Sequence, residues 1–409
     1  MSYPLFSCYG VELEYMVVRT ADLRVAPWAD RVLVDAAGRP VSDVDRGPVT
    51  WSNELIAHVV EMKTSEPASS LDGLAAAFAG EVRELNRRFA AHGARLLPTA
   101  MHPTMTPDEA VLWAHEFSEV YATFDRIFDC RGHGWSNLQS AHLNLPFAGD
   151  AEFARLHAAV RLVLPLLPAL AASSPFVEGR LTGLADNRLD FYRRNSAKLP
   201  ALCGEVIPEP VYSYDEYERG IYAPIAAQVA PHDPDGVLEP VYTNSRGAIA
   251  RFDRGSIEIR LLDLQECPAA DLAVLRTVVA VLKDLVAETS VPLDVQQRVP
   301  VAPLKRLFDA AVAEGETAVV ADPVLLASAR AKTPTLSAGD WWRAQIERLD
   351  PLRGASDAER AALETYVSAG TLSRRLAEAH RRGRTVDALY RELADLCPAN
   401  APFRPAPSA

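Results

Sequence analysis

The chain has 409 residues, 49% of them hydrophobic, enough to bury a large core in one sizeable domain or in two to three ordinary ones. Its 42 basic and 54 acidic residues leave a net charge of −12, which excludes duplex nucleic acid and an anionic membrane surface as main partners while leaving room for a local basic pocket. Five scattered cysteines, Cys8, Cys130, Cys203, Cys267 and Cys397, form no Cys-x-x-Cys pair, and the N-terminus carries no basic region followed by an apolar core, so a reduced, cytoplasmic chain without a secretory signal is expected.

The first predicted element is a strand over residues 6–19 that contains the stretch YGVELEY. With a side-chain period of two, Glu12 and Glu14 leave one face while Val11, Leu13 and Tyr15 pack on the other. Either that face is an acidic solvent surface, or both anions line a cleft in which cations offset their repulsion. Residues 21–48 read as a loop, with turn signals at DAAGRP and DRGP and a hairpin around RVLVD. Residues 49–64 are extended again and carry Glu54 and Glu61 among apolar neighbours. Their odd spacing sends them to opposite faces of an unbroken strand, so convergence requires a bend or a second element. Taken alone, Glu61 equally fits a salt bridge with Lys63.

A helix is predicted from Ser69 and Ser70 to Gly93, with Leu71, Leu74, Phe78, Val82, Leu85 and Phe89 as its apolar stripe. ARLLPTA follows as a strand, and a second helix is expected from Pro107 to about Phe128. SAHLNLPF is the next strand, with His142 and Asn144 on one face. A helix over 151–173 contains the apolar run Leu162–Ala172, which is too short to span a bilayer and is kinked by Pro165 and Pro168. Irregular sequence with helical pieces leads to about 245, and GSIEIRLLDL then aligns Ser256, Glu258 and Arg260 on one face, with Asp263 joining them if the strand persists. The elements to about 290 form one α+β domain. Residues 291–409 are Ala-, Arg-, Glu- and Leu-rich and predict a helical region packed on it, ending in a Pro/Ala-rich tail from Cys397 that frays.

Four predicted strands therefore aim polar groups from one face and pack apolar groups behind it. Several carboxylates and one imidazole suit Mg²⁺ or Mn²⁺, whereas a structural zinc site would be richer in Cys and His. No phosphate-binding glycine loop is present, so nucleotide phosphates would fall to metals and arginines, with Arg180, Arg188, Arg193, Arg194, Arg246, Arg251, Arg254 and Arg260 as candidates. There is no nucleophile elbow, and AHEF lacks the second histidine of a zinc-protease helix.

The segments GVELEY, NELIAHVVEMKT, TAMHPT, LQSAHLNL, SSPFVEGRLTGLADNR and SIEIRLLDLQECP, in this order over roughly residues 8–285, resemble the second family of glutamate-cysteine ligases and its carboxylate-amine ligase relatives in the glutamine synthetase superfamily. The resemblance implies a curved, mostly antiparallel sheet with helices on its outer face, spanning residues 1–290, plus the helical region 291–409. It implies ATP and two or three divalent metals, Mg²⁺ or Mn²⁺. A carboxylate, with glutamate's γ-carboxyl as the family's own, would be phosphorylated and then displaced by an amine. Glu12 and Glu14 would hold different metals, Glu54 and Glu61 the metal beside the substrate, and His142 with Glu258 the metal on the ATP phosphates. Arg260 would face the transferring phosphoryl group, placing it with Glu61 in the catalytic set. Arg188, or else Arg180, would bind a substrate carboxylate, with His102 and Asn144 shaping the substrate pocket.

Two departures from the family pattern bear on substrate. His142 and Asn144 stand where many relatives carry two histidines, and TAMHPT replaces a Gly-Thr-His-Pro form. Nothing selects cysteine as the amine, and the composition does not decide between a monomer and a homo-oligomer. Two other readings are a catalytically idle, ligase-like binder of a metabolite and a guanidino phosphotransferase. The intact acidic set counts against the first, and the better-matched ligase segments against the second.

Overall fold

A computed structural model describes residues 3–405 and reveals an eight-stranded sheet with every pairing antiparallel. Its strands are β1 (Gly10–Arg19), β2 (Asp43–Asp45), β3 (Val49–Asn53), β4 (Val59–Thr64), β5 (Ala94–Leu97) and β6 (Ser140–Pro146). A two-stranded hairpin of β7 (Phe176–Val177) and β8 (Arg180–Leu181) stands apart, before β9 (Ala248–Arg251) and β10 (Ser256–Asp263) complete the main sheet. The order is β2-β3-β4-β1-β6-β10-β9, with β5 also paired to β1. The long β1 is the hub: β4 lies on one edge, and β6 and β5 share the other end to end.

Apolar positions fix which face is buried. Val11, Leu13 and Tyr15 of β1, Val60 and Met62 of β4, Leu143 and Leu145 of β6, and Ile257 and Ile259 of β10 enter one continuous core. Phe78 and Val82 from the helix Leu74–Ala90, Leu156 and Val160 from Gly149–Val163, and Leu275 and Val278 from Pro268–Val286 fill the other side of that core. A one-residue slip of any strand would bring carboxylates into this layer, so the hydrophobic face pins the register of the acidic one. Among the described residues no helix is long and apolar enough to cross a membrane.

Most predicted elements are present, with instructive differences. β1 begins at Gly10, because Ser7 N–H turns back onto the carbonyl of Pro4. RVLVD forms only a narrow loop closed by an isolated Val34–Pro40 bridge. The helix expected from Pro107 is a single 3₁₀ turn, Pro107–Glu109, and the long helix starts at Ser118. Between them the backbone is extended, since Trp113 N–H donates to Leu55 O and Leu112 pairs with Ile56 to cover the β3–β4 connection. The apolar run near 164 is kinked as read, with a 3₁₀ turn at Leu164–Leu166. In β10 the register shifts between Ile259 and Leu262. That irregularity resets the alternation and brings Asp263 opposite Ser140, on the polar face.

The tail does not fray where it is described. Cys397 to Ala399 close the helix Val386–Ala399, and Asn400 Oδ1 accepts the N–H of Ala269 (2.8 Å). Phe403 is fully buried among Leu372, Leu376, Tyr390 and Leu393, with its N–H on Glu266 Oε1 and its carbonyl on Arg375 Nη1. The last four residues of the tail, 406–409, lie outside the described residues. Phe403→Ala should therefore lower unfolding stability by about 3 kcal/mol in a urea titration; a loss within experimental error would mean that this anchor carries no weight.

Candidate active site

The sheet register gathers the acidic face. Glu14 lies opposite Glu61, while Glu12 lies between Lys63 on β4 and His142 on β6; Asn144 in turn lies opposite Glu258 on β10. Glu54 sits at the end of β3 in the connection to β4, and this turn is the bend that the odd spacing of Glu54 and Glu61 required. Two groups result: Glu12, Glu61 and His142, and Glu14, Glu54 and Glu61. Within each, one ligand atom per residue lies within 4.8 Å of the others. Glu61 belongs to both.

Hydrogen bonds hold these groups in place. Ser140 donates both its N–H (2.7 Å) and its Oγ–H (3.0 Å) to Glu14 Oε2. His142 meets Glu12 Oε2 through Nδ1 (2.8 Å) and Ser140 Oγ through Nε2 (2.9 Å). Asn144 Nδ2 donates to Glu12 Oε1 (3.0 Å), so Asn144 orients a carboxylate. Gly10 is required opposite it, because a Cβ there would stand 2.8 Å from Asn144 Cβ. Lys63 Nζ bridges Asp43 (3.0 Å) and Glu61 (3.6 Å).

Electrostatics divide the acids. Burial opposes ionisation of Glu12, but the His142 hydrogen bond and the charges of His142, Arg260 and Lys63 hold its carboxyl down at about 2. Burial and the Glu14 carboxylate push Glu54 up to about 7, against His142 and Arg260. Burial together with Glu12 and Glu54 raises Glu61 well above the ordinary carboxylate range. Burial works against charge on His142, yet Glu12 and Glu14 raise its pKa. Carboxylates that resist ionisation until positive charge arrives, beside oxygen donors and one imidazole, fit a hard divalent cation such as Mg²⁺ or Mn²⁺. Holding one at the Glu12 group requires His142 to release a proton.

Not every expected residue joins. Glu258 stands outside both groups, held by Arg260 Nη1 (3.1 Å) and Arg251 Nη1 (3.3 Å), while lining the same lobe as His142, Glu12 and Glu61. Arg188 is buried and braces β10, donating to Asp263 Oδ1 (3.3 Å) and to the carbonyl of Arg260 (2.8 Å). Arg180 is exposed on the β7–β8 hairpin. Backbone groups take both ring nitrogens of His102: Nε2 meets the carbonyl of Leu23, in the turn after β1 (2.6 Å), and Nδ1 accepts from Met105 N–H (2.9 Å). Arg193 and Arg194 pair with Asp190, and Arg246 is buried against Glu209.

The acidic groups lie where two lobes of a cleft meet, with Glu54, Tyr242 and Arg260 lining both. One lobe, about 580 Å³, brings Lys63, Arg251, Arg254 and Arg260 around Glu12, Glu61 and His142. The other, about 190 Å³, runs from Glu14 and Glu54 to Tyr121, Phe124 and Trp135. Sequence reasoning missed Ser140, whose period-two relation to His142 was a usable signal. It also missed Tyr121, Trp135 and Tyr242, which come from a helix and two short helical turns whose placement only tertiary packing decides.

A family model described as glutamate-cysteine ligase family 2 matches residues 8–392, past the last recognisable motif and into the C-terminal helices. An uncharacterized protein of Archaeoglobus fulgidus is 35% identical over 289 residues, covering 70% of this chain and 76% of that one. A putative glutamate-cysteine ligase 2 of Pseudomonas paraeruginosa is 29% identical over 218 residues, 52% of this chain and 51% of its own length, so the chain spans about half the length of that relative. The crystal structure of glutamate-cysteine ligase from Francisella tularensis, in complex with AMP, has a TM-score of 0.61 at 12% identity, covering 98% of this chain and 90% of that one, a likeness of fold.

The crowded acids set a pH dependence with two signs. Glu54 and Glu61 keep protons that unfolded carboxylates release near 4.5, so the metal-free protein loses stability as pH rises from there through the folded value, about 7 for Glu54. Glu12 has the opposite sign, stabilising above about 4.5 and losing that contribution as pH falls toward about 2. Mg²⁺ or Mn²⁺ should thus raise the melting temperature more at pH 8 than at pH 5, and the Glu12→Gln/Glu14→Gln variant should fold but lose most of the effect. Equal metal stabilisation in both proteins, followed by thermal unfolding, would remove this pair as the cation seat.

Proposed function

The chain belongs to glutamate-cysteine ligase family 2, and from that premise we propose that it is an ATP-dependent carboxylate-amine ligase acting on small molecules. The observation that carries this reading is the pair of carboxylate groups sharing Glu61 at the meeting of a cationic lobe and an aromatic one. We assign the cationic lobe to the ATP phosphates for its Lys63, Arg251, Arg254 and Arg260, and the AMP bound by the Francisella tularensis ligase supports use of an adenine nucleotide. The other lobe takes the carboxylate substrate.

Glu12, Glu61 and His142 would hold one divalent cation, Mg²⁺ or Mn²⁺, and Glu14, Glu54 and Glu61 a second. Such cations supply neutralising charge to phosphoryl oxygens and to the substrate carboxylate. Glu258 takes a positioning role in this reading, fixing the guanidinium of Arg260 between the lobes, with Arg251 behind it. The substrate carboxylate oxygen attacks the γ-phosphorus and ADP leaves. The amine nitrogen then attacks the acyl carbon, phosphate leaves, and the amine proton passes to a base. The cleft's own groups position both partners, and Arg260 offsets charge on the phosphoryl group in transit.

The catalytic unit is assigned to residues 1–290, with 291–409 as a helical region packed against it. Trp342 Nε1 donates to Leu166 O (2.7 Å) and Tyr366 OH to Ala169 O (2.9 Å), which supports that packing. Five free, buried cysteines support a reducing, cytoplasmic setting.

Incubation with ATP, Mg²⁺ and pooled carboxylates and amines should release ADP together with a new amide mass; ADP alone, or neither, would contradict the ligase reading. Arg260→Lys should lower turnover on the order of a hundredfold, about 3 kcal/mol of transition-state stabilisation, because an ammonium lacks the planar fork. Nucleotide titration of the same variant should change little. An unaltered rate would remove Arg260 from the mechanism.

A further inference from the structure

Ser140 joins the two acidic groups through one hydroxyl. It is buried on β6, two residues before His142 and so on the same face of the strand. It lines the aromatic lobe beside Glu14, whereas His142 lines the cationic lobe. Its Oγ meets Glu14 Oε2 at 3.0 Å and His142 Nε2 at 2.9 Å. Nε2 and Glu14 Oε1 are 3.7 Å apart, beyond hydrogen-bond reach, so the hydroxyl connects the two side chains. The surrounding backbone fixes where that hydroxyl sits. Ser140 N–H also donates to Glu14 Oε2 (2.7 Å), and the preceding Gln139 is held by its N–H on Ala100 O (2.8 Å). Asp263, opposite Ser140 in the register, is occupied by Ser173, Ser174 and Arg188 and does not compete for Oγ.

A serine hydroxyl has one proton to give and lone pairs to receive another. A carboxylate only accepts, and a bond to a charged acceptor is the stronger one, so the Oγ proton goes to Glu14. Toward His142 the hydroxyl is then an acceptor, and Nε2 must carry a hydrogen. A neutral imidazole with its hydrogen on Nε2 has its lone pair on Nδ1. Nδ1 is the nitrogen that meets Glu12 (2.8 Å), within the group Glu12, Glu61 and His142. The direction of bonding around Ser140 thus decides which ring nitrogen is left to a cation.

We propose that Ser140 is a positioning residue for the cation seats: it holds His142 as the Nε2–H tautomer, presents Nδ1 to a divalent ion, and through Glu14 ties that ligand to the second group. The proposal rests on the two-cation reading and goes beyond it in naming the residue that selects the ligand nitrogen. Hydrogen-bond partners standing behind metal ligands carry about 10- to 100-fold in metal affinity. Removing the hydroxyl leaves Glu14 its bond from the Ser140 N–H, so the group that contains His142 should lose more than the group that contains Glu14.

The test has two arms, both on the full chain. Long-range ¹H–¹⁵N correlation spectra in saturating Mg²⁺ read the ring tautomer, with His142 assigned by the signals that His142→Gln removes. Wild type should show the hydrogen on Nε2 and a bare Nδ1. In the second arm Mn²⁺ is titrated calorimetrically into wild type, Ser140→Ala and Ser140→Thr. Ser140→Ala should weaken one of two ions about tenfold or more and the other by no more than about threefold. Ser140→Thr keeps a hydroxyl on Cβ and should stay within about threefold of wild type for both. Thermal unfolding of the metal-free variants checks their fold, and the wild-type spectrum judges the proposal even where a variant fails to fold. A hydrogen on Nδ1, a folded Ser140→Ala that binds both ions as wild type does, or equal losses in folded Ser140→Ala and Ser140→Thr would overturn the proposal while leaving the cation reading intact. A wild-type chain that binds no divalent ion would defeat the cation reading, and the proposal with it.

Discussion

The structure turns on the repulsion among Glu12, Glu14, Glu54 and Glu61, four acids drawn together on one face of a sheet whose other face is a packed apolar core. No single strand could hold them there. Leu13 and Tyr15 on β1, and Val60 and Met62 on β4, fix the register that sets Glu14 opposite Glu61, and a slip that relieved the crowding would push carboxylates into the core. The hydrophobic layer thus holds an electrostatic arrangement that local charge would otherwise disperse.

The protein balances the crowding unevenly. Glu12 stays ionised through His142 and the nearby cations, whereas Glu54 and Glu61 have too little positive charge around them and lean toward protonation. Surrounding groups orient the acids without neutralising all of them: Ser140 fixes Glu14, Asn144 fixes Glu12, and Glu258 holds Arg260 at the seam between lobes. Such incomplete compensation, enclosed in a cleft, is what a cation site of moderate affinity needs. The same seam divides two chemistries, with guanidinium and ammonium groups on one side and aromatic rings on the other.

Much of this was legible in the sequence, because alternation along a strand encodes direction. Glu12 with Glu14, His142 with Asn144, and Glu258 with Arg260 were placed on common faces by period alone. The Glu54–Glu61 spacing announced a bend, which the β3–β4 turn supplies. Side-chain partners were less legible. Backbone groups take both ring nitrogens of His102, and Arg188 spends its two Nη groups on Asp263 and the Arg260 carbonyl, facts of tertiary packing and not of spacing. The tail read as frayed from its prolines, yet Phe403 finds a closed apolar site between two helices and the buried Glu266–Arg375 pair. The aromatic lobe was invisible because its walls come from segments far apart in the chain, so no local periodicity marks them.

The central claim, that the acidic face is a seat for two cations sharing Glu61, is tested most directly by counting bound Mn²⁺ from the loss of free-ion electron paramagnetic resonance signal at pH 7.5. The account predicts at least two Mn²⁺ per wild-type chain and weakened binding of both in Glu61→Gln, with the variant's fold checked by circular dichroism. A wild-type chain that binds one ion or none, or a folded Glu61→Gln chain that binds two as tightly as wild type, would contradict it.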